Sequence, residues 1–337
     1  MENILNVVVM LSSFLLIPAL SYGAQLALGA LGVTLIYSIL RFANFAHGDM
    51  MALGGAVAIL FTALLQSWGI GLGPLPTALL ALPPAIAVTA LYGMAADRVV
   101  FRHYRINKAE PVVLSIASVG LMFITNALVR FTVGPELRTF NDGEKFLVRA
   151  RDFKAATGLA EGLTIKMSQV ITLGVAVLAV VALFWFLQNS RTGKAMRALS
   201  DNSDLALLSG ISPDRIVGIT WLIAAALATL AGVLYGLDKV YKPFTYFQLL
   251  LPIFAAAIVG GIGRPIGAVV GGFVIAFSEV IITYPFRKVV GYLTPGDERV
   301  QGLVQLLSTE YKFAVSFVIL VIVLIYRPTG IMRGRVI

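Results

Sequence analysis

The stretch SRTGKAMRALSDNSDLALLSGISPDR, residues 190–215, is a short polar insert between two long apolar runs, and its reading decides that of the whole chain. Lys194–Ser200 favours a short helix, which Asp201-Asn202-Ser203 interrupts. The same three residues can cap a second helix, Asp204–Ser209, and Gly210 can end it. Ser212-Pro213-Asp214 then supplies an N-cap, a proline at the first helical position and an acid in the first turn, launching the next apolar run. Met196, Leu199, Leu205 and Leu208 place apolar patches on otherwise charged pieces. A structured polar element between hydrophobic segments suits a contact point for a soluble partner. An ordinary solvated loop on the lipid headgroups is the blander alternative.

The surroundings of the insert belong in a membrane. Of 337 residues, 58% are hydrophobic and only 13% are charged, against roughly 25% charged in soluble domains. Candidate membrane segments are 4–20, 23–40, 50–67, 76–96, 111–131, 167–187, 216–236, 249–262, 266–284 and 312–327. The runs are continuous rather than alternating, so helices are expected rather than a barrel. The expected fold is an all-α polytopic membrane protein with about eight to ten transmembrane or re-entrant helices. Residues 1–337 form one transmembrane domain in this reading, without a soluble appendage. Segments 4–20 and 23–40, parted only by Ser21-Tyr22, allow either two crossings or one long broken helix. Segments 249–262 and 266–284, joined through Gly260-Gly261-Ile262-Gly263, suggest a re-entrant or strongly tilted hairpin. Met1-Glu2-Asn3 lacks the positive start of a signal peptide, so the first segment is expected to be uncleaved.

Lysines and arginines orient the chain. Arg98, Arg102, Arg105 and Lys108 form one basic loop; Arg191, Lys194, Arg197 and Arg215 a second; Arg327, Arg333 and Arg335 a basic tail. Crossing parity puts all three on one face, taken as cytoplasmic. Loop 132–166 then lies in the periplasm, although it carries basic residues such as Arg138, Arg149 and Lys166. The net charge of +9 fits basic loops at an anionic leaflet better than nucleic-acid binding, because the basic residues are dispersed. With no cysteine and two histidines, thiol chemistry is excluded and little remains for a metal centre.

Small residues recur at helical spacing. Gly263, Gly267 and Gly271 form one stripe, Ala224, Ala228, Gly232 and Gly236 another, and Gly23, Ala27, Ala30, Thr34 and Ser38 a third. Such faces let backbones approach closely where lipid offers no hydrophobic gain. Ser115, Ser118, Met122 and Asn126 line one face of a helix and are candidates for the wall of a translocation path. Glu279 is an acid inside a membrane segment, a functional candidate by default, with an interfacial headgroup contact as the even alternative. In NFAHGD, residues 44–49, Asn44, His47 and Asp49 read as a hydrogen-bonded turn or cap more readily than as a proton relay.

Gly193-Lys194 is followed by alanine and lacks the preceding glycine of a P-loop, so any ATPase must be another polypeptide. Four segments together carry a resemblance: NFAHGD at 44–49, residues 190–216, GGIGRPIGAVVGGFVIAFSE at 260–279 and STEYKFAVSFVILVIVLIYRPTGIM at 308–332. From about Tyr22 to Met332 the chain resembles the H-type permease subunit of high-affinity branched-chain amino-acid ABC importers. The resemblance implies an M-type permease partner, two cytoplasmic ATPases that hold ATP and Mg²⁺, and a periplasmic substrate-binding protein. It implies no cofactor and no catalytic residue in this chain. It makes 190–216 the ATPase-contacting loop, a role carried to Gly193, Lys194, Arg197, Asp204, Ala206, Gly210 and Ile211. Permeases for urea and short amides share these motifs, and an ion-coupled transporter using Glu279, Asp49 and His47 is a more distant alternative. The first twenty residues, longer and more apolar than the family pattern, and region 285–307, which reads as an insertion, depart from it.

Overall fold

The computed structural model describes residues 2–140, 142–293 and 305–332. Among them, eight helices are long and apolar enough to cross a membrane. They are α1 (Glu2–Leu40), α2 (His47–Ser67), α3 (Ala78–Ile106), α4 (Pro111–Val133), α6 (Met167–Asn189), α9 (Pro213–Asp238), α10 (Pro243–Gly260) and α11 (Pro265–Thr283). Between α4 and α6, strands β1 (Phe146–Val148) and β2 (Ile165–Lys166) flank α5 (Ala150–Thr157) and pair antiparallel. The polar insert contains α7 (Arg191–Asp201) and α8 (Ser203–Leu208). After α11 come α12 (Arg287–Leu293) and the shorter apolar α13 (Lys312–Tyr326).

The first two expected segments are one helix. Ser21 and Tyr22 lie buried inside α1, and the irregularity falls earlier, in a π-helical stretch at Ser12–Leu16. Neither Ser21 nor Tyr22 breaks a helix, so polarity marked a buried packing position rather than a turn. At 39 residues α1 spans roughly 58 Å, about twice a hydrocarbon core. The expected 249–262/266–284 hairpin is instead a pair of helices of crossing length. Proline opens both α10 and α11, and Gly261 (φ 109°) and Gly263 (φ 80°) turn the chain between them. Irregular backbone enters the bundle elsewhere, at residues 41–46. His47 at its end is fully buried beside Gly32, eight residues and roughly 12 Å inside the end of α1.

Small residues set the packing. A Cβ on Gly267 would overlap the Gly260 carbonyl, and one on Gly271 the Ala256 carbonyl, so α10 and α11 pack backbone to backbone. Gly263 is not part of that stripe; it lies in the turn before α11. A Cβ on Gly272 would come within 2.6 Å of the Ala27 backbone, and one on Gly232 would overlap the Met51 carbonyl. The three small-residue stripes thus bring α1, α2, α9, α10 and α11 into one core that includes Trp221, Tyr241 and Tyr246.

Two faces result. On the insert face, Arg102 and Arg105 pair with Asp214 at 3.3 and 3.2 Å, joining the first basic loop to the second. Backbone amides of Ile331 and Met332 donate to the carbonyls of Val259 and Gly260, bringing the described part of the tail to the same face. Arg333 and Arg335 lie outside the described residues. On the hairpin face, Arg138 and Tyr241 exchange backbone hydrogen bonds of 2.8 and 2.9 Å, and the Glu161 amide donates to Asn6 Oδ1 at 3.1 Å. The two departures from the family pattern meet there. Val7 and Met10 of α1 pack with Tyr284 and Val289, so the early apolar residues and the start of region 285–307 form one small core. The rest of that region lies outside the described residues.

Candidate functional site

The insert is a two-helix element with a firm base. Ser190 Oγ accepts from the Gly193 amide at 2.8 Å and caps α7. Gly193 sits against the end of α6: a Cβ there would lie 2.6 Å from Leu187 Cα, so only glycine lets α7 fold back this sharply. Asn202 Oδ1 accepts from the amides of Asp204 and Leu205 at 3.1 and 3.0 Å, the cap that starts α8. Gly210, at φ 79°, ends it, and the Ile211 amide returns to the Ala206 carbonyl at 3.1 Å. Ser212 precedes Pro213 as expected but makes no side-chain cap. Its neighbour Asp214 instead receives the two arginines.

Burial sorts the seven residues expected to contact an ATPase. Gly193 and Ala206 are buried in the seam beneath the element, Ile211 is half-buried, and Lys194, Arg197, Asp204 and Gly210 are exposed. Met196 and Leu199, two of the four apolar patch residues of the insert, are also buried and anchor α7. Leu205, Leu207 and Leu208 are exposed, Leu208 at 86%, and form an apolar tip between Asp204 and Gly210. Leu207 was not singled out in the sequence, although its place one residue before Leu208 in a short amphipathic helix was visible.

Rigid ties run from this element into the bundle. The Arg41 guanidinium donates to the Ser200 carbonyl and pins α7 to the end of α1. Asp97 Oδ1 accepts from Arg105 at 2.8 Å and from Trp221 Nε1 at 3.2 Å, inside the π-helical turn Asp97–Phe101. Trp221 stacks on Phe101 at 5.4 Å between ring centres, and Phe101 meets Phe42 at 4.9 Å. Between the insert and the bundle lies a cavity of about 760 Å³ that Arg197, Asp201, Arg264 and Ser38 help to line.

Deeper in the bundle, two sets of residues read separately in the sequence come together. Ser118 Oγ accepts from the Phe45 amide at 3.0 Å, and Asn126 Nδ2 donates to Asp49 Oδ1 at 2.7 Å. The α4 stripe of Ser115, Ser118, Met122 and Asn126 therefore backs the irregular segment 41–46 and the start of α2. Ser115 Oγ turns to the Pro111 carbonyl at 3.0 Å, and Met122 is buried in the main core. Asn44 Oδ1 accepts from the Ala46 amide at 3.2 Å, the turn its sequence suggested. Glu279 is buried within α11, with Ser316 Oγ of α13 donating to its Oε1.

Apolar helices of spanning length packed around one buried core, with an anchored polar element on one face, define a multi-pass membrane protein. The chain belongs to the branched-chain amino acid transport system permease component family, whose model matches residues 15–324. It is 33% identical over 317 residues to the high-affinity branched-chain amino acid transport system permease protein LivH of Escherichia coli strain K12, covering 93% of this chain and 92% of that protein. It is 31% identical to the corresponding permease BraD of Pseudomonas aeruginosa, with 95% of each chain covered. It is 26% identical to a probable LivH of Methanocaldococcus jannaschii, covering 93% of this chain and 90% of that one. The chain is a multi-pass protein of the bacterial inner membrane and a transport subunit rather than an enzyme. Its family implies work alongside ATPase and binding-protein partners.

Proposed function

We propose that this chain carries branched-chain amino acids across the membrane as one half of a heteromeric permease, paired with an M-type subunit. Two cytoplasmic ATPases, binding ATP and Mg²⁺, drive it, and a periplasmic protein delivers the substrate. The insert face is then cytoplasmic and the hairpin face periplasmic, with loop 132–166 on the delivery side.

The observation that carries this reading is the exposed apolar tip of the insert, Leu205, Leu207 and Leu208, on an element that also exposes Lys194, Arg197 and Asp204 and whose base is tied to α1, α3 and α9. Exposed apolar residues on an element that also exposes charge suit docking into a protein cleft. A rigid base suits transmission of motion, because a loosely held loop would absorb the displacement of its partner. Gly193 and Ala206 serve by shaping the element, while Lys194, Arg197 and Asp204 supply its charged contacts. Ser118, Asn126 and Asp49 hold the irregular backbone that borders the path. Isolating the tagged chain from its native membrane tests the assembly: two ATPases, a second permease and a binding protein that takes leucine, isoleucine or valine are expected. Purification with no ATPase, or with a binding protein specific for urea or short amides, contradicts the reading.

A further inference from the structure

A cavity of about 740 Å³ opens on the hairpin face, where the early residues of α1 meet the end of α11 and the start of α13. Its volume is in the range of small-molecule sites. Met10, Phe14 and Pro18 form an apolar wall, and Tyr22, Glu279 and Lys312 the polar one. Met10 and Phe14 precede residue 15, where the family match begins.

The polar wall is incomplete. Glu279 is only 1% exposed; Ser316 donates to its Oε1, and the Tyr22 hydroxyl faces the same carboxylate without completing a well-formed hydrogen bond. A buried carboxylate met by two hydroxyls and by no close cation is costly, and the ammonium group of a ligand would offset that cost. Lys312 Nζ lies 5.4 Å from the centre of the Tyr22 ring and, among the described residues, has no carboxylate within 4.0 Å. Lys239 and Lys288, which also reach the cavity, differ: they lie 3.6 Å from Asp238 and 3.4 Å from Glu161.

We infer that this cavity binds a compact zwitterion, its ammonium group on Glu279 and Tyr22 and its carboxylate or phosphate on Lys312. An apolar portion of the ligand lies along Met10, Phe14 and Pro18. Two sources share this chemistry: a free α-amino acid, and the ethanolamine headgroup of a membrane lipid. The amino-acid source rests on the transport reading above; the lipid source does not.

The test uses the full-length chain purified in detergent with the permease and ATPase subunits that accompany it, free of the binding protein. Equilibrium binding of radiolabelled L-leucine is measured against 4-methylpentanoate, which lacks the ammonium group, and 3-methylbutylamine, which lacks the carboxylate. Co-purified ethanolamine lipid is quantified in parallel. Either leucine binds and neither single-charge analogue displaces it, or ethanolamine lipid is retained near one per chain. The near-isosteric Glu279→Gln and the Lys312→Gln variants each lower that occupancy about tenfold or more, the loss expected for a charged hydrogen bond. Lys312→Arg retains it. Binding of neither zwitterion, or Glu279→Gln and Lys312→Gln variants that bind as the parent does, overturns the site. If Glu279→Gln fails to fold, the Lys312 pair decides alone. Zwitterion binding without ATP-driven uptake supports the site and counts against the transport reading only.

Discussion

Arg105 joins Asp214 at 3.2 Å across 109 residues of sequence, and the same guanidinium holds Asp97 at 2.8 Å. One side chain thus locks the base of α9, which leaves the insert, to the end of α3. Asp97 is nearly buried, whereas Asp214 is more than half exposed. Arg105→Ala leaves the nearly buried Asp97 with Trp221 as its donor but no cation, and is expected to destabilise the protein by about 1–3 kcal/mol. Asp214→Ala removes only an exposed partner and should cost under about 1 kcal/mol. Thermal unfolding in detergent compares them, and equal losses would show that Asp97 does not depend on Arg105.

Backbone contact between α10 and α11 depends on Gly271, whose Cβ would overlap the Ala256 carbonyl. Gly271→Ala should cost about 1–3 kcal/mol, since neither backbone can yield. Gly218 in α9 has open space around its missing side chain, so Gly218→Ala should be neutral or stabilise by up to about 1 kcal/mol. The difference between their unfolding midpoints checks the packing; matching midpoints would contradict it.

The Asn126–Asp49 hydrogen bond makes a reciprocal expectation. Asn126→Ala leaves the fully buried Asp49 without its donor and should cost about 1–3 kcal/mol. Exchanging the two residues, Asp49→Asn with Asn126→Asp, should recover part of that loss. A double-mutant cycle on unfolding free energies reads the coupling, and a coupling near zero would separate α4 from the segment it supports.

Tyr241, between α9 and α10, is fully buried and donates to the Ala52 carbonyl at 2.9 Å. Burial, with Asp49 as the lesser cause, raises its phenol above the ordinary value. The unfolded chain therefore loses this proton first. Stability from this group is complete below about pH 10 and declines as pH rises beyond it. Tyr241→Phe should be less stable at neutral pH by about 1 kcal/mol and show a shallower alkaline decline. Equal slopes for the two proteins above pH 10 would contradict the assignment.

Much of the helical plan was legible because long apolar runs and their breakers act locally. Pro213 opened a helix where its missing amide suggested, and Gly210 ended one. Asn202 capped α8 within the interruption the sequence marked. What escaped depends on contacts distant in sequence. Ser21-Tyr22 resembled a break, yet both side chains are absorbed by neighbouring helices. Met196 and Leu199 carry the same chemistry as Leu205 and Leu208, and only the fold decides which pair faces inward. The α4 stripe was visible as a polar face, but not that Ser118 and Asn126 answer the unpaired backbone and the acid of NFAHGD. The packing of Val7 and Met10 on Tyr284 and Val289 had no local signal, since it joins two ends of the chain.

Transmission of ATPase motion into the bundle is the role proposed for the insert. Its most direct measurement is ATP-driven uptake of leucine into proteoliposomes containing the complete transporter, with Arg197 and Asp204 both reversed in charge. Neither side chain is buried, so the variant should fold and unfold like the parent, while uptake falls at least tenfold through lost docking or lost coupling. Unchanged assembly with the ATPases and unchanged uptake would contradict the claim.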